Sequence, residues 1–308
     1  MINFRYHVVS LTAVFLALAI GLVVGTAALN GPVADTLKDQ VNALGKDNSN
    51  LRAHANQLEE EVNRQEDFAV QVAPALIGGK LAGRRVLLVV LPGGEDYADG
   101  VVKMLGVAGA TITARITVQD KFLAPDNDVE LLDLADRASQ TAVPTDGLPR
   151  NSVGVETSSA LLAVALQQST PAITANNLRS VLTAYSQANY LAVENGAVGG
   201  AEATVVVSGL PPTDNEAARR SQAAVTLTNQ FAGARPLVVA GNGVGEGNLV
   251  SEVRGDPTLQ KISTVDNVGT AQGQLVTALV TEQLLVKGRA GQYGLAPGAT
   301  SLLPSTAP

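Results

Sequence analysis

Three regimes of hydrophobic patterning divide the chain. Residues 8–29 (VVSLTAVFLALAIGLVVGTAAL) carry no charged side chain. Helical at about 1.5 Å per residue, such a stretch spans the roughly 30 Å hydrocarbon layer of a bilayer. It predicts one transmembrane helix, with residues 1–7 as a cytoplasmic N-terminus. Arg5 precedes the stretch and the first charge after it is Asp35, so the positive-inside rule places the rest of the chain outside the cytoplasm. The competing reading is a cleaved signal peptide with Gly25 and Ala27 at its cleavage site, although usual signal h-regions run only about 7–15 residues. Gly21 and Gly25 form a GxxxG pair. Glycines so spaced let helix backbones approach closely in lipid, which makes them the candidate membrane-helix contact.

Asn30-Gly31-Pro32 is expected to break this helix. Beyond it, Leu37, Leu44, Leu51 and Leu58 recur every seven residues, and Val41, Asn48, Ala55 and Val62 each stand four residues further on. These are the d and a rows of a coiled coil expected over residues 34–69, about 50 Å long. Val at a with Leu at d favours a parallel dimer, and a polar Asn48 at a fixes register and strand number. Asp47 would face Arg52 of a partner copy, whereas Glu61 would repel Glu66. Gly45 costs up to about 1 kcal/mol of helix stability. The coil is therefore marginal alone and gains from membrane tethering, which raises the effective concentration of its partner. Carried backward, the heptad frame puts Gly21 and Gly25 at b and f, so the glycine pair and the seam cannot share one continuous face. The alternative for 34–69 is a solvated helix packed on the chain's own C-terminal domain.

From Gly79 the pattern changes to short continuous apolar runs. Arg85–Leu91 (RVLLVVL) closed by Pro92-Gly93-Gly94 reads as a strand buried on both faces. A helix over Tyr97–Ala108 and a strand over Thr111–Val118 follow. Ala203–Ser208, Leu237–Ala240 and Ile262–Val265 read as further strands. Thr213-Asp-Asn-Glu216 reads as a capping box opening a helix to about Phe231, and another helix is expected over Gly269–Lys287. Strands alternating with helices predict an open α/β domain with a mostly parallel sheet over residues 79–288. Residues 289–308 lack periodicity and end rich in Pro, Ser and Thr, the pattern of a mostly disordered tail.

Composition narrows the chemistry. The 308 residues are 46% hydrophobic but 3% aromatic, so the core is expected to be built from Val, Leu, Ile and Ala. A balance of 21 Lys+Arg against 28 Asp+Glu, net −7, argues against nucleic acid as a partner. There is no Cys, which excludes disulfides, thiolate metal sites and a Cys nucleophile. His7 and His54 are the two histidines, and Met1 and Met104 the two methionines, so the C-terminal domain has no imidazole for a triad or a zinc site. Gly241-Asn-Gly-Val-Gly-Glu-Gly247 follows a strand but has Glu246 where a dinucleotide fingerprint needs Gly or Ala; it reads as a flexible βα turn. Asp126-Asn-Asp-Val-Glu130 opens like a calcium loop, but Leu131 and Arg137 occupy its required Gly and Glu positions. A helix N-terminus fits it better, as it fits Glu95, Asp96 and Asp99. No catalytic residue, cofactor or metal site is predicted.

Tyr6-His7-Val8-Val9-Ser10-Leu11-Thr12-Ala13-Val14-Phe15-Leu16-Ala17-Leu18-Ala19-Ile20-Gly21, a heptad segment, the Arg-Val-Leu-Leu-Val strand and Gly291-Gln-Tyr-Gly294 together resemble the actinobacterial copper transporter family, MctB-like or SteB-like, over nearly the whole chain. The resemblance implies a cell-envelope protein with a role in copper efflux and homeostasis. It also implies an alternative: a dimeric scaffold that works with a SteA-like cytoplasmic partner and the cell-wall hydrolase machinery to control septation. The family carries no catalytic residues over. Soft thiolate and thioether ligands select Cu(I), and imidazole suits Cu(II). On the outer side of the membrane this chain offers His54 and Met104, plus carboxylates that prefer harder ions, so the copper role is expected to be indirect.

Overall fold

The computed structural model describes residues 4–29, 32–139, 148–149, 153–168 and 172–305. Asn30 and Gly31 of the expected helix break lie outside the described residues. The chain forms two compact units, Met1–Arg64 and Gln65–Pro308.

The first unit holds helix α1 (Phe4–Leu29) and most of helix α2 (Pro32–Ile77). Among the described residues, one helical stretch, Phe4–Ala27 with a mean hydropathy of 2.6, is long and apolar enough to cross a membrane. Its two threonine hydroxyls are satisfied within the helix: Thr12 Oγ1 donates to Val8 O at 2.8 Å and Thr26 Oγ1 to Leu22 O at 2.9 Å. Back-bonding of this kind suits a segment with no water to turn to.

In the second unit the alternation predicted from sequence is present. Its elements are β1 (Arg85–Val90), α3 (Glu95–Val107), β2 (Thr111–Val118), the short α4 (Asp120–Leu123), α5 (Asp128–Ser139), α6 (Gly154–Leu166), α7 (Ala175–Gln187) and β3 (Leu191–Val193). They continue with β4 (Ala203–Ser208), α8 (Ala217–Ala234), β5 (Leu237–Gly241), α9 (Leu249–Gly255), β6 (Ser263–Val265), α10 (Ala271–Lys287) and β7 (Gln292–Tyr293). The sheet order is β3-β2-β1-β4-β5-β6-β7. Every pairing is parallel except that of β2 with the edge strand β3.

Period-two alternation divides each central strand between two cores. On β1, Leu87 and Val89 face one and Val86, Leu88 and Val90 the other. Helices α4 to α9 cover the first face. The second is covered by α3, α10 and the end of α2, which contributes Ala69, Ala73 and Ile77 at four-residue spacing. Glu66 Oε2 accepts a hydrogen bond from Ala271 N, at the start of α10, where a carboxylate is favoured by the helix dipole. The last turns of the heptad segment are thus engaged by the α/β unit itself: Ala69 is buried, and Glu66 has an intramolecular role where like-charge repulsion across a dimer was expected.

Aliphatic residues fill both cores, as the composition requires, but four aromatics anchor the first. Phe122, Tyr185, Tyr190 and Phe231 are fully buried, with Phe122 edge-on to Tyr190 at 6.3 Å. Tyr185 donates to Ser158 Oγ at 2.8 Å, and burial pushes its phenol well above the ordinary range. Lys121 lies over the Tyr190 ring at 4.3 Å and pairs with Glu130 at 3.0 Å. That hydrogen bond raises the lysine and lowers the carboxyl.

Local details depart from the sequence reading. The capping box at Thr213–Glu216 does not form: α8 starts at Ala217 without a side-chain cap, and Asp214 accepts instead from Glu216 N at 2.9 Å and pairs with Arg220. Asp128 does open α5, but its Oδ1 also accepts from Gly154 N at 2.8 Å and Val155 N at 3.2 Å, capping α6. The tail expected to be mostly disordered is ordered as far as residue 305. Residues 292–293 add a strand beside β6, and Asp266 accepts from Leu295 N and Ala296 N at 2.8 and 3.2 Å. Backbone pairing and a buried carboxylate supply the order that periodicity did not announce.

Candidate functional site

The predicted seam residues sit on the exposed surface of α2. Leu37, Val41, Leu44, Leu51, Leu58 and Val62 are each between 53% and 68% exposed, and Asn48 and Ala55 are exposed with them. An exposed apolar row of this length is uncommon on a protein surface. Gly21 and Gly25 are exposed on α1, with nothing near the position a Cβ would take.

The copper-relevant donors belong to different units. His54 is exposed on α2, whereas Met104 is 2% exposed within the second core. Among the described residues no three His, Asp or Glu side chains converge on a metal-holding position. The aspartate-rich segment 126–130 is likewise spent on helix capping and on Lys121. Asp99, from the acidic first turns of α3, pairs with Arg115.

The Gly241–Gly247 loop is a turn, but its own hydrogen bonds hold it and correct the expectation of a flexible one. Gly243 N donates to Asp266 O at 2.7 Å, Gly245 N to Ser251 Oγ at 2.9 Å and Gly247 N to Glu252 Oε1 at 3.3 Å. Those amides are engaged, not free to cradle a phosphate.

Sequence reasoning missed a concavity at the sheet's switch point. The sheet order reverses between β1 and β4: β1 leads through α3 to β2 on one side, and β4 through α8 to β5 on the other. The two connections leave on opposite faces, so a crevice opens beyond the carboxyl ends of β1 and β4, where open α/β sheets place ligands. A cavity of about 270 Å³ lies there. Leu91, Leu123, Leu210 and Leu249 supply its apolar wall, and Ser208, Arg220 and Ser221 its polar one. Ser221 Oγ donates to Gly247 O at 2.9 Å. Arg220 is four-fifths buried and pairs with Asp120 Oδ1 at 3.4 Å and with Asp214. Glycine shapes the crevice floor: a Cβ on Gly209 would lie 2.0 Å from Gly93 O, and one on Gly94 2.7 Å from Val207 O. The only sequence signals were Pro92-Gly93-Gly94 and Gly209-Leu-Pro-Pro212 at two strand ends, which become one site only once β1 and β4 are known to be neighbours.

Fold and site define an α/β protein with, among the described residues, one candidate membrane helix, a long second helix and a switch-point crevice. The chain belongs to the family described as "Copper transport outer membrane protein, MctB", whose model matches residues 1–304. It is 27% identical over 317 residues to the copper transporter MctB of Mycobacterium tuberculosis, covering 98% of this chain and 99% of the relative. It is 28% identical over 313 residues to the copper transporter MctB of Mycobacterium leprae, with the same coverage. These relatives are named as transporters rather than enzymes, and membership supports a copper-related envelope protein.

Proposed function

We propose that this chain is a membrane-anchored, non-enzymatic envelope protein that supports copper homeostasis without itself binding or conducting the ion. The donor set carries this reading: one exposed histidine beyond the apolar helix, a methionine sealed in the core and no cysteine. Carboxylates prefer harder ions than Cu(I), and a single apolar helix has no polar stripe to line a pore. Full-length protein in detergent is expected to bind Cu(I) and Cu(II) only weakly in chelator competition. A stoichiometric sub-micromolar site, or conductance from the pure protein in bilayers, would sink the proposal.

The anchor is read as uncleaved and N-in, from its length and from Arg5. Protease added to right-side-out vesicles should digest the α/β unit. A protected α/β unit, or a mature N-terminus near Ala28, would defeat that topology.

The exposed seam supports a parallel dimer as its occupant, because Val and Leu alternate at a and d around a single Asn. Cysteines introduced at Leu44 or Leu51 should crosslink efficiently between copies, and one at Lys46, at an outward f position, should not. Asn48→Val should tighten association while loosening the choice of oligomer. Equal crosslinking at all three positions would refute the register. The same seam favours a second reading, a scaffold for a SteA-like partner and hydrolase machinery in septation. Seam-breaking variants that disturb septation while leaving copper tolerance intact would favour the scaffold over the first reading.

A further inference from the structure

The chain carries 28 acidic side chains against 21 basic ones, yet the segments that lead into the parallel strands are basic. Lys80 and Arg85 stand at the entry to β1, Lys261 at that to β6, and Lys287 and Arg289 at that to β7. Parallel pairing of these strands carries their entries to one end of the sheet. All five side chains are exposed, and among the described residues none of them enters an ion pair. The acidic groups in the same segments are already engaged. Glu202 pairs with Arg84 at 3.3 Å, and Asp256 accepts from Thr258 N and Oγ1 at 2.8 and 2.7 Å. A cation closing a helix is ordinary, which accounts for Lys287 at the end of α10; the other four lie outside helices.

Two exposed aliphatic side chains adjoin these charges. Leu76, in the last turn of α2, is 45% exposed, and Val286, in the last turn of α10, is 53% exposed. Both helices end where the chain turns to enter a strand, β1 or β7. A surface of free cations calls for an anionic partner. Three of the five are lysines, which are depleted from protein–protein interfaces. Aliphatic groups set among basic ones are the pattern that settles at the headgroup level of an anionic bilayer, whereas a purely ionic polymer has no use for Leu76 and Val286.

We propose that the amino-end face of the sheet docks on an anionic phospholipid surface, its Lys and Arg side chains at the phosphates and Leu76 and Val286 reaching below them. This docking is independent of any part in copper homeostasis. The test holds full-length protein in phosphatidylcholine nanodiscs and floats it with vesicles of mixed phosphatidylglycerol and phosphatidylcholine, or of phosphatidylcholine alone. It should float with the mixed vesicles only, and detach at about 1 M salt, where the screening length is roughly 3 Å. Lys80→Glu with Arg289→Glu should weaken binding at least about tenfold, since each basic group near such a surface is worth roughly fivefold. Arg137→Glu with Arg179→Glu alters net charge equally at exposed positions on α5 and α7 and should bind like the parent. Leu76→Ser with Val286→Ser should weaken binding at unchanged charge. Flotation that ignores phosphatidylglycerol or survives high salt, read on the parent protein, would overturn the proposal whether or not the variants fold. Equal losses in the two charge-reversed proteins would also overturn it, and so would parental binding by the serine variant, which would point to an acidic polymer instead.

Discussion

Replacing Arg254 by alanine is expected to lower the melting temperature of the α/β unit by roughly 6–20 °C. Arg254 Nη2 lies 2.9 Å from Asp266 Oδ2, with side chains 7% and 1% exposed. The guanidinium also donates to Thr264 Oγ1, Tyr293 O and Pro297 O at 2.8, 2.8 and 3.2 Å. Removing it strands a buried carboxylate, and breaking a buried pair on one side costs about 3–5 kcal/mol. In a domain of this size each kcal/mol moves the midpoint by roughly 2–4 °C. The damage should be greatest around residues 292–301, since Asp266 and Arg254 both hold that segment, and limited proteolysis should cut there first. Replacing both partners by apolar residues of similar volume should recover much of the loss, because neither charge is then left unpaired. Thermal unfolding followed by circular dichroism checks both variants; an Arg254→Ala midpoint within 2 °C of the parent would contradict the assignment.

Gly209→Ala should cost about 3 kcal/mol, near the top of the range for overpacking. The added Cβ would lie 2.0 Å from Gly93 O and 2.3 Å from Gly93 C. Both obstacles are backbone, so no rotamer change relieves them, and the loops after β1 and β4 must separate. The crevice at the switch point should deform with them. Gly106→Ala in α3 is the control: nothing lies within 4 Å of its Cβ position, and alanine in a helix is favoured over glycine by up to about 1 kcal/mol. Chemical denaturation should therefore move the two variants in opposite directions. Two equally small shifts would show that the crevice floor yields more easily than its geometry implies.

Much of the architecture was legible because local pattern and final environment agree. RVLLVV at 85–90 is apolar throughout since both faces of a central parallel strand are covered, and Thr270 with Gly288 mark the ends of α10 by ordinary capping chemistry. Between residues 119 and 200 that agreement fails. Helix α6 is buried around nearly its whole circumference, so it has no helical period to detect, and β3 is a three-residue antiparallel edge. The Gly291-Gln-Tyr-Gly294 motif was visible as a word but not as a device. Gly294 has φ +131°, and a Cβ there would lie 2.1 Å from Asp266 Oδ1; the motif lets the chain pass over the buried carboxylate.

What the sequence alone determined is whatever depends on neighbours a few residues away: an uncharged helix of membrane length, a heptad row of leucines, the alternation of strand and helix, and the absence of thiol and imidazole from the C-terminal unit. What only the tertiary structure decided depends on groups far apart in the chain. Strand order brought Pro92-Gly93 against Gly209 and opened the crevice. Asp266 met Arg254 and then ordered a tail that has no pattern of its own. Met104, available as a copper ligand on paper, was sealed in the core. Glu66, at the end of the heptads, was drawn to the first turn of α10. Each of these turns on which surfaces bury one another, and burial of distant groups is the quantity that hydrophobic periodicity does not encode.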